Sequence, residues 1–258
     1  MRFELTEEQK ILQDTVREFA QKELAPVAEK ADLDEEFPWD SFKGMAELGL
    51  TGMILPAEYG GSEAGELDLN IAMEEIARVS PSCAHILDSH LMLCGSPILH
   101  YGTDEQKKKY LPDIASGKKL GAFALTEPNA GSDVMGLQTK AEKNGSGYTL
   151  NGQKTFISNG EMCKTAVIIG NIPELAPRGA SAFIVEEEAE GFSKGEKFKK
   201  LGMKAATTAE LFFEDCKIDK DQLLGKEGQG LKIALSTLDR GRIGIAAQAV
   251  GIAQGVLD

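Results

Sequence analysis

The chain has 258 residues, of which 42% are hydrophobic and 27% charged, enough for a sizeable core and more than one compact unit. A formal net charge of −13 excludes the basic footprint that non-specific nucleic-acid binding requires, and no apolar run is long enough to span a bilayer. The four cysteines are widely spaced without a CxxC pattern, and the three histidines lack an i, i+4 pair, so a disulfide framework and a zinc site are both disfavoured.

The N-terminus, MRFELTEEQK, lacks the apolar core of a secretory signal and the Arg-rich, acid-poor character of a mitochondrial presequence, which leaves the cytoplasm as the expected compartment. Thr6-Glu7-Glu8-Gln9 reads as a capping box. Behind it, Ile11, Leu12, Thr15, Val16, Phe19 and Leu24 recur near helical spacing, and Pro26 need not end the helix. Phe37-Pro38 marks a boundary, followed by a helix from Trp39 to Leu48 that Gly49 stops. Pro56-Ala-Glu-Tyr-Gly-Gly reads as a loop. A third helix is expected from Leu69 to Val79, capped by Asp68 and ended before Pro81, and another over Cys83 to Leu93. Thr103-Asp104-Glu105-Gln106 is a second capping box, opening a Lys-rich helix expected to end at Pro112.

From Lys119 to Leu224 the pattern changes to short runs of β-formers: 121–126, 147–152, 154–158, 165–170, 181–186 and 209–214. Asn144-Gly145 and Asn151-Gly152 favour hairpin turns, which predicts an antiparallel sheet or barrel. Helical spacing returns at Leu231 and continues to Asp258, with small residues among Leu, Ile and Val. A helix apolar around much of its circumference calls for neighbours on several sides. The fold class is therefore α+β: an N-terminal helical domain (1–118), a middle β domain (119–228) and the beginning of a C-terminal helical domain (229–258), incomplete at the end of the sequence.

The segment with most chemical content is Ala124-Leu125-Thr126-Glu127-Pro128-Asn129-Ala130-Gly131-Ser132-Asp133. Here a strand runs into a polar turn in which Gly131 permits close backbone approach and Thr126 and Ser132 offer hydroxyls. An ordinary Asx-type turn would have the same composition. Two further groupings follow, Lys154-Thr155-Phe156-Ile157-Ser158 and Asp239-Arg240-Gly241-Arg242. Asp239 and Arg242 lie three apart on one helix face, which by itself describes a surface ion pair. Phe156 by itself describes a core aromatic.

Together, in this order, the three segments resemble the acyl-CoA dehydrogenase family, closest to its short-chain (butyryl-CoA) branch. The first matches the flavin-binding signature T/S-E-P-x-x-G-S-D at Thr126, Glu127, Pro128, Gly131, Ser132 and Asp133. The resemblance implies FAD as cofactor, held by Phe123, Leu125, Thr126, Ser132, Phe156, Ile157 and Ser158, with Phe156 where many relatives have Trp. It implies an acyl-CoA substrate bound by Ser132, Asp239 and Arg242, and α,β-desaturation with hydride transfer to flavin N5. It further implies an electron-transfer flavoprotein as partner, a dimer or tetramer as assembly, and a role in fatty acid metabolism. An enoyl-CoA reductase of the same fold, or a non-catalytic flavin-binding or assembly module, would carry the same motifs.

The reaction needs a base for the α-proton. In most of the family this is a Glu in the last helical domain, expected beyond Asp258, so that the chain as given lacks the usual base. The alternative family position, one residue before the helix Arg, is Gly241 here. One internal carboxylate, Asp88 in Ile86-Leu87-Asp88-Ser89-His90, sits among apolar neighbours where burial would raise its pKa. A locally hydrogen-bonded or exposed Asp is the plainer account.

Overall fold

The computed structural model describes residues 4–177 and 179–258. Helix α1 (Glu7–Phe19) starts at the expected capping box: Thr6 Oγ1 accepts the Gln9 N–H and Gln9 Oε1 accepts the Thr6 N–H. It passes through one wide turn (Ala20–Leu24) into α2 (Ala25–Asp34). Pro26 has no N–H to give to the preceding turn, and the chain accommodates this by widening there, with the Ala25 N–H reaching back to Ala20 O. Helix α3 (Trp39–Glu47) stops at Gly49, which adopts φ 82°.

Helix α4 (Glu66–Ala77) begins three residues before the sequence suggests. Asp68 is not its cap but the third residue of the first turn, where its carboxylate accepts the Gly65 N–H at 2.9 Å. Helix α4 ends before Pro81 as expected, and Pro81 itself opens α5 (Pro81–Leu87) behind a Ser80 cap. The helix runs on through a wide-turn stretch (Asp88–Gly95) into α6 (Ser96–Tyr101), well past the predicted end at Leu93. Helix α7 (Asp104–Ala115) likewise continues through Pro112. Buried Leu111 and Ile114 flank that proline, and their packing outweighs the lost backbone hydrogen bond.

Among the described residues the sheet has eight strands: β1 (Gly121–Ala124), β2 (Lys140–Asn144), β3 (Gly147–Ser158), β4 (Thr165–Asn171), β5 (Ala180–Glu186), β6 (Phe192–Lys197), β7 (Thr208–Asp219) and β8 (Leu223–Leu224). Their order is β6-β7-β3-β2-β4-β5-β8, with β1 beside β4, and the sheet is open. It is mixed rather than purely antiparallel, since β4 runs parallel to both β1 and β2. Asn144-Gly145 forms the expected hairpin, with Asn144 Oδ1 accepting the Ser146 and Gly147 N–H groups. Asn151-Gly152 does not. The two predicted runs fuse into the single strand β3, and the register slips between Leu150 and Gly152 as a bulge against β7. Gly152 takes φ 150°, and an added Cβ would lie 2.6 Å from Thr139 Oγ1, so the glycine serves close strand approach rather than a turn.

Strand β4 is buried from Thr165 to Gly170 because both its faces are covered. Val167 and Ile169 join the core shared with the helices, while Ala166 and Ile168 join a second core on the other face with Tyr148, Leu150, Phe183 and Phe213. The 28-residue helix α8 (Gly230–Leu257) packs on α4 and on the Asp88–Gly95 stretch. Gly251 and Gly255 make this possible: an added Cβ would lie 2.2 Å from Glu74 O and 2.1 Å from Arg78 O respectively. Ile243, Ile245, Val250 and Val256 on the same helix are exposed. Among the described residues, no helix is long and apolar enough to cross a membrane, and all four cysteines are buried as free thiols.

Candidate functional site

Strand β1 delivers the chain into the 125–133 turn, which is closed by paired backbone hydrogen bonds between Glu127 and Ala130 at 2.9 and 3.1 Å. The Glu127 charge in this turn faces inward. The Glu127 carboxylate accepts the Gln138 N–H (2.6 Å), the Thr139 N–H (3.0 Å) and Lys154 Nζ (2.6 Å), and Lys154 also donates to Leu125 O at 3.1 Å. The Thr155 N–H donates to Thr126 O at 2.9 Å, tying the end of β1 to β3. Burial pushes the Lys154 ammonium down to about 8, and Glu127 opposes this. Burial alone would raise the Glu127 carboxyl, but Lys154 and the backbone donors hold it below the ordinary range. The Glu127–Lys154 pair thus fixes the turn, leaving Gly131, Ser132 and Asp133 exposed. Gly131 has open space around it, and Asp133 Oδ1 caps the next short turn through the Met135 N–H at 3.0 Å.

A second irregularity places Phe156. Lys154 pairs with Leu211 and Ile157 with Ala209, so two residues of β3 lie between pairings and the strand bulges. Phe156 adopts φ 57°, a region that costs a non-glycine residue on the order of 1 kcal/mol or more. The bulge turns its ring out of the sheet: Phe156 is 65% exposed and leans on Phe198 at 5.1 Å between centroids. It is therefore not a core aromatic.

These segments meet around a cavity of ≈ 400 Å³. Phe123, Leu125, Thr126, Gly131 and Ser132 line it from β1 and the turn, Phe156, Ile157 and Ser158 from the bulge, and Arg242 from α8. Every residue marked in the sequence as flavin-facing is thus at one place. Sequence reading missed Ser89, Leu93, Val134, Leu235 and Leu238, which complete the lining. It also missed His85, whose Nε2 lies 2.8 Å from Ser158 Oγ. Ser89 and His85 flank Asp88 on one helix, and only the tertiary packing shows which way each points. A larger cavity of ≈ 570 Å³, whose lining includes Val134, Ile172, Pro177, Gly179 and Leu231, shares Val134 with the first.

Asp239 and Asp88 are outside this lining. Asp239 bonds Arg242 at 2.9 Å, with both side chains about 70% exposed, so the pair is a surface bridge whose Arg end reaches the cavity. Asp88 is fully buried, not locally hydrogen-bonded in full and not exposed: Oδ1 has no partner among the described residues. It presses on α8, where an added Cβ would lie 2.1 Å from Oδ1 at Gly244 and 3.8 Å from Oδ2 at Gly241. Burial pushes its carboxyl up to about 7. No cluster of three metal-ligating side chains occurs among the described residues.

Comparison with known proteins matches residues 6–118 to the acyl-CoA dehydrogenase N-terminal domain and residues 122–216 to the acyl-CoA dehydrogenase middle domain. The chain is 46% identical to a short-chain-specific acyl-CoA dehydrogenase of Clostridium acetobutylicum, over all of this chain and 68% of that protein. It is 48% identical to an NADH-dependent acryloyl-CoA reductase of Anaerotignum propionicum, over all of this chain and 66% of that protein. A chain in the solved structure described as the electron transferring flavoprotein of Acidaminococcus fermentans superposes with a TM-score of 0.97 at 45% identity, covering all of this chain and 68% of that one. The sequence therefore spans about two thirds of the length of these relatives.

Proposed function

Since the chain belongs to the acyl-CoA dehydrogenase family, we propose that it forms the flavin- and thioester-facing walls of an FAD-dependent acyl-CoA dehydrogenase. The reaction is removal of an α-proton and a β-hydride from a coenzyme A thioester, with electrons passed on to an electron-transfer flavoprotein. The observation that carries this reading is the convergence of Thr126, Ser132, Phe156, Ser158 and Arg242 on one cavity from three separate parts of the chain.

The lining fits a planar heteroaromatic ring with a polar edge. Phe123, Leu125, Leu235 and Leu238 supply apolar surface, and Thr126, Ser132 and Ser158 supply hydroxyls. Ser89 Oγ is buried at the same wall without a partner among the described residues, and an added Cβ on Gly131 would meet none of them within 4 Å, so the turn is open to close backbone approach. FAD, when bound, supplies the two-electron acceptor. Phe123, Leu125, Thr126 and Ile157 would hold the ring edge, Ser158 would offer it a hydroxyl, and Ser132 would serve the pyrophosphate and pantetheine. Phe156 would lie against the ring on the side through which electrons leave. Arg242 binds the coenzyme A portion, and Asp239 acts by orienting Arg242. We assign residues 1–118, 119–228 and 229–258 to the helical domain, the β domain and the start of a second helical unit, in a cytoplasmic homo-oligomer.

Asp88 is the internal candidate for proton acceptor, beside the family's Glu expected outside these 258 residues. Its burial and unpartnered oxygen support the role. Its position against α8, rather than in the cavity lining, weighs for the external Glu. A second reading, enoyl-CoA reduction with the same walls, is favoured by the 48% identity to the acryloyl-CoA reductase.

The test is reconstitution of the chain with FAD or FMN, followed by anaerobic spectra with a panel of acyl- and enoyl-CoA thioesters. FAD should be retained over FMN, and short acyl-CoA thioesters should perturb the bound-flavin band. A chain that retains only FMN, or no flavin, overturns the reading.

A further inference from the structure

Ser158 ends β3 at the rim of the cavity, and its hydroxyl is 2.8 Å from Nε2 of His85. His85 belongs to α5, so this contact joins the helical layer to the sheet. A neutral imidazole carries one donor and one acceptor nitrogen, and the choice of tautomer is set by what each nitrogen meets. His85 is held neutral, since burial pushes its pKa down to about 4 and Lys200 acts in the same direction.

Two arrangements satisfy the 2.8 Å contact. With the proton on Nδ1, Ser158 donates to Nε2 and its proton is turned away from the cavity. With the proton on Nε2, His85 donates to Ser158 Oγ and the serine proton is free to turn into the cavity. The other ring nitrogen decides between them. Nδ1 is buried and has no hydrogen-bond partner among the described residues. A proton there would be a buried donor without an acceptor, the rarer and costlier defect, whereas a bare lone pair leaves no N–H unsatisfied.

We propose that His85 is a positioning residue that carries its proton on Nε2 and donates it to Ser158 Oγ, fixing the Ser158 hydroxyl as a hydrogen-bond donor into the cavity. The ligand atom it serves is an acceptor, such as a ring nitrogen lone pair. Its identification with the flavin edge rests on the reading above, whereas the His85–Ser158 arrangement does not. A donor held in advance at an atom that gains electron density stabilises the reduced ring.

The experiment has two arms. In the flavin-free 258-residue chain, labelled with ¹⁵N-histidine, long-range ¹H–¹⁵N correlation at pH 7 should report His85 as the Nε2–H tautomer. The Nδ1–H tautomer or an imidazolium would overturn the assignment. In the flavin-loaded chain, His85→Leu and Ser158→Ala should each lower the flavin reduction potential, and the double variant should fall no further than Ser158→Ala alone. His85→Gln, whose amide can donate in place of Nε2–H, should keep the wild-type potential. An unchanged potential in His85→Leu, or additive shifts in the double variant, would overturn the positioning role. If the wild-type chain retains no flavin, the flavin reading fails while the tautomer measurement still decides the His85 assignment.

Discussion

Lys154 Nζ lies 2.6 Å from Glu127 Oε1, and both side chains are buried. The two residues are 27 apart in the chain, and their pairing joins the outgoing turn of β1 to the middle of β3. A buried ion pair contributes little net stability over an apolar replacement, but breaking one partner leaves a charge with inadequate company. Here the pair also fixes where Thr126, Gly131 and Ser132 face, so a stability element and a binding turn share the same atoms.

Lys154→Met should therefore destabilise the fold by about 3–5 kcal/mol, because Glu127 keeps only its two backbone donors. Urea unfolding of the variant measures this. Lys154→Met combined with Glu127→Gln should recover part of the loss, since the stranded charge is removed with its partner.

Asp88 makes stability depend on pH. Its carboxyl is raised to about 7 in the fold from an ordinary value of 3.8, so between those values the folded chain binds the extra proton. The sign follows from linkage: Asp88 imposes no penalty below about pH 4, and a penalty grows as pH rises toward 7. Asp88→Asn should gain roughly 2–4 kcal/mol relative to wild type at pH 8 and lose that advantage at pH 4. Parallel unfolding curves at the two pH values would contradict the buried, unpartnered state of this carboxyl.

Gly244 and Asp88 should behave as a steric couple. An added Cβ at Gly244 would lie 2.1 Å from Asp88 Oδ1, so Gly244→Ala overpacks the contact between α8 and the Asp88–Gly95 stretch at a cost of about 1–3 kcal/mol. Asp88→Ala in the same chain should relieve most of this. A double-mutant cycle of thermal unfolding reads the coupling directly.

Arg242 should matter for binding and not for folding. Its bridge to Asp239 is exposed, so Arg242→Ala should change stability by under about 0.5 kcal/mol. On the proposed reading, the same change removes a charge-assisted hydrogen bond to coenzyme A, about 1.5–3 kcal/mol, which weakens binding of an acyl-CoA roughly 10- to 100-fold. Calorimetric titration of both proteins with one thioester distinguishes this from a merely structural bridge.

The sequence by itself determined most element types and marked the segments that meet at one cavity. Both capping boxes form, because reciprocal side-chain bonds three residues apart need no tertiary help. The change from helical spacing to β-rich runs near residue 119 and back near 230 follows the periods of the two structures. What the tertiary structure decided is wherever packing overrode local signals. Pro112 lies within a helix because buried neighbours compensate for a missing donor, and Asn151-Gly152 is a bulge because β7 and Thr139 close on it from two sides. The polar strands Lys140–Asn144 and Phe192–Lys197 exist only because partner strands take up their backbone groups. The same holds in the site. Phe156, Ser158 and Arg242 were marked by their resemblance to family motifs, but the outward ring, the His85 contact and the burial of Asp88 against two glycines of α8 depend on residues distant in the chain. Periodicity encodes which face of an element is apolar; it does not encode which distant side chain meets that face.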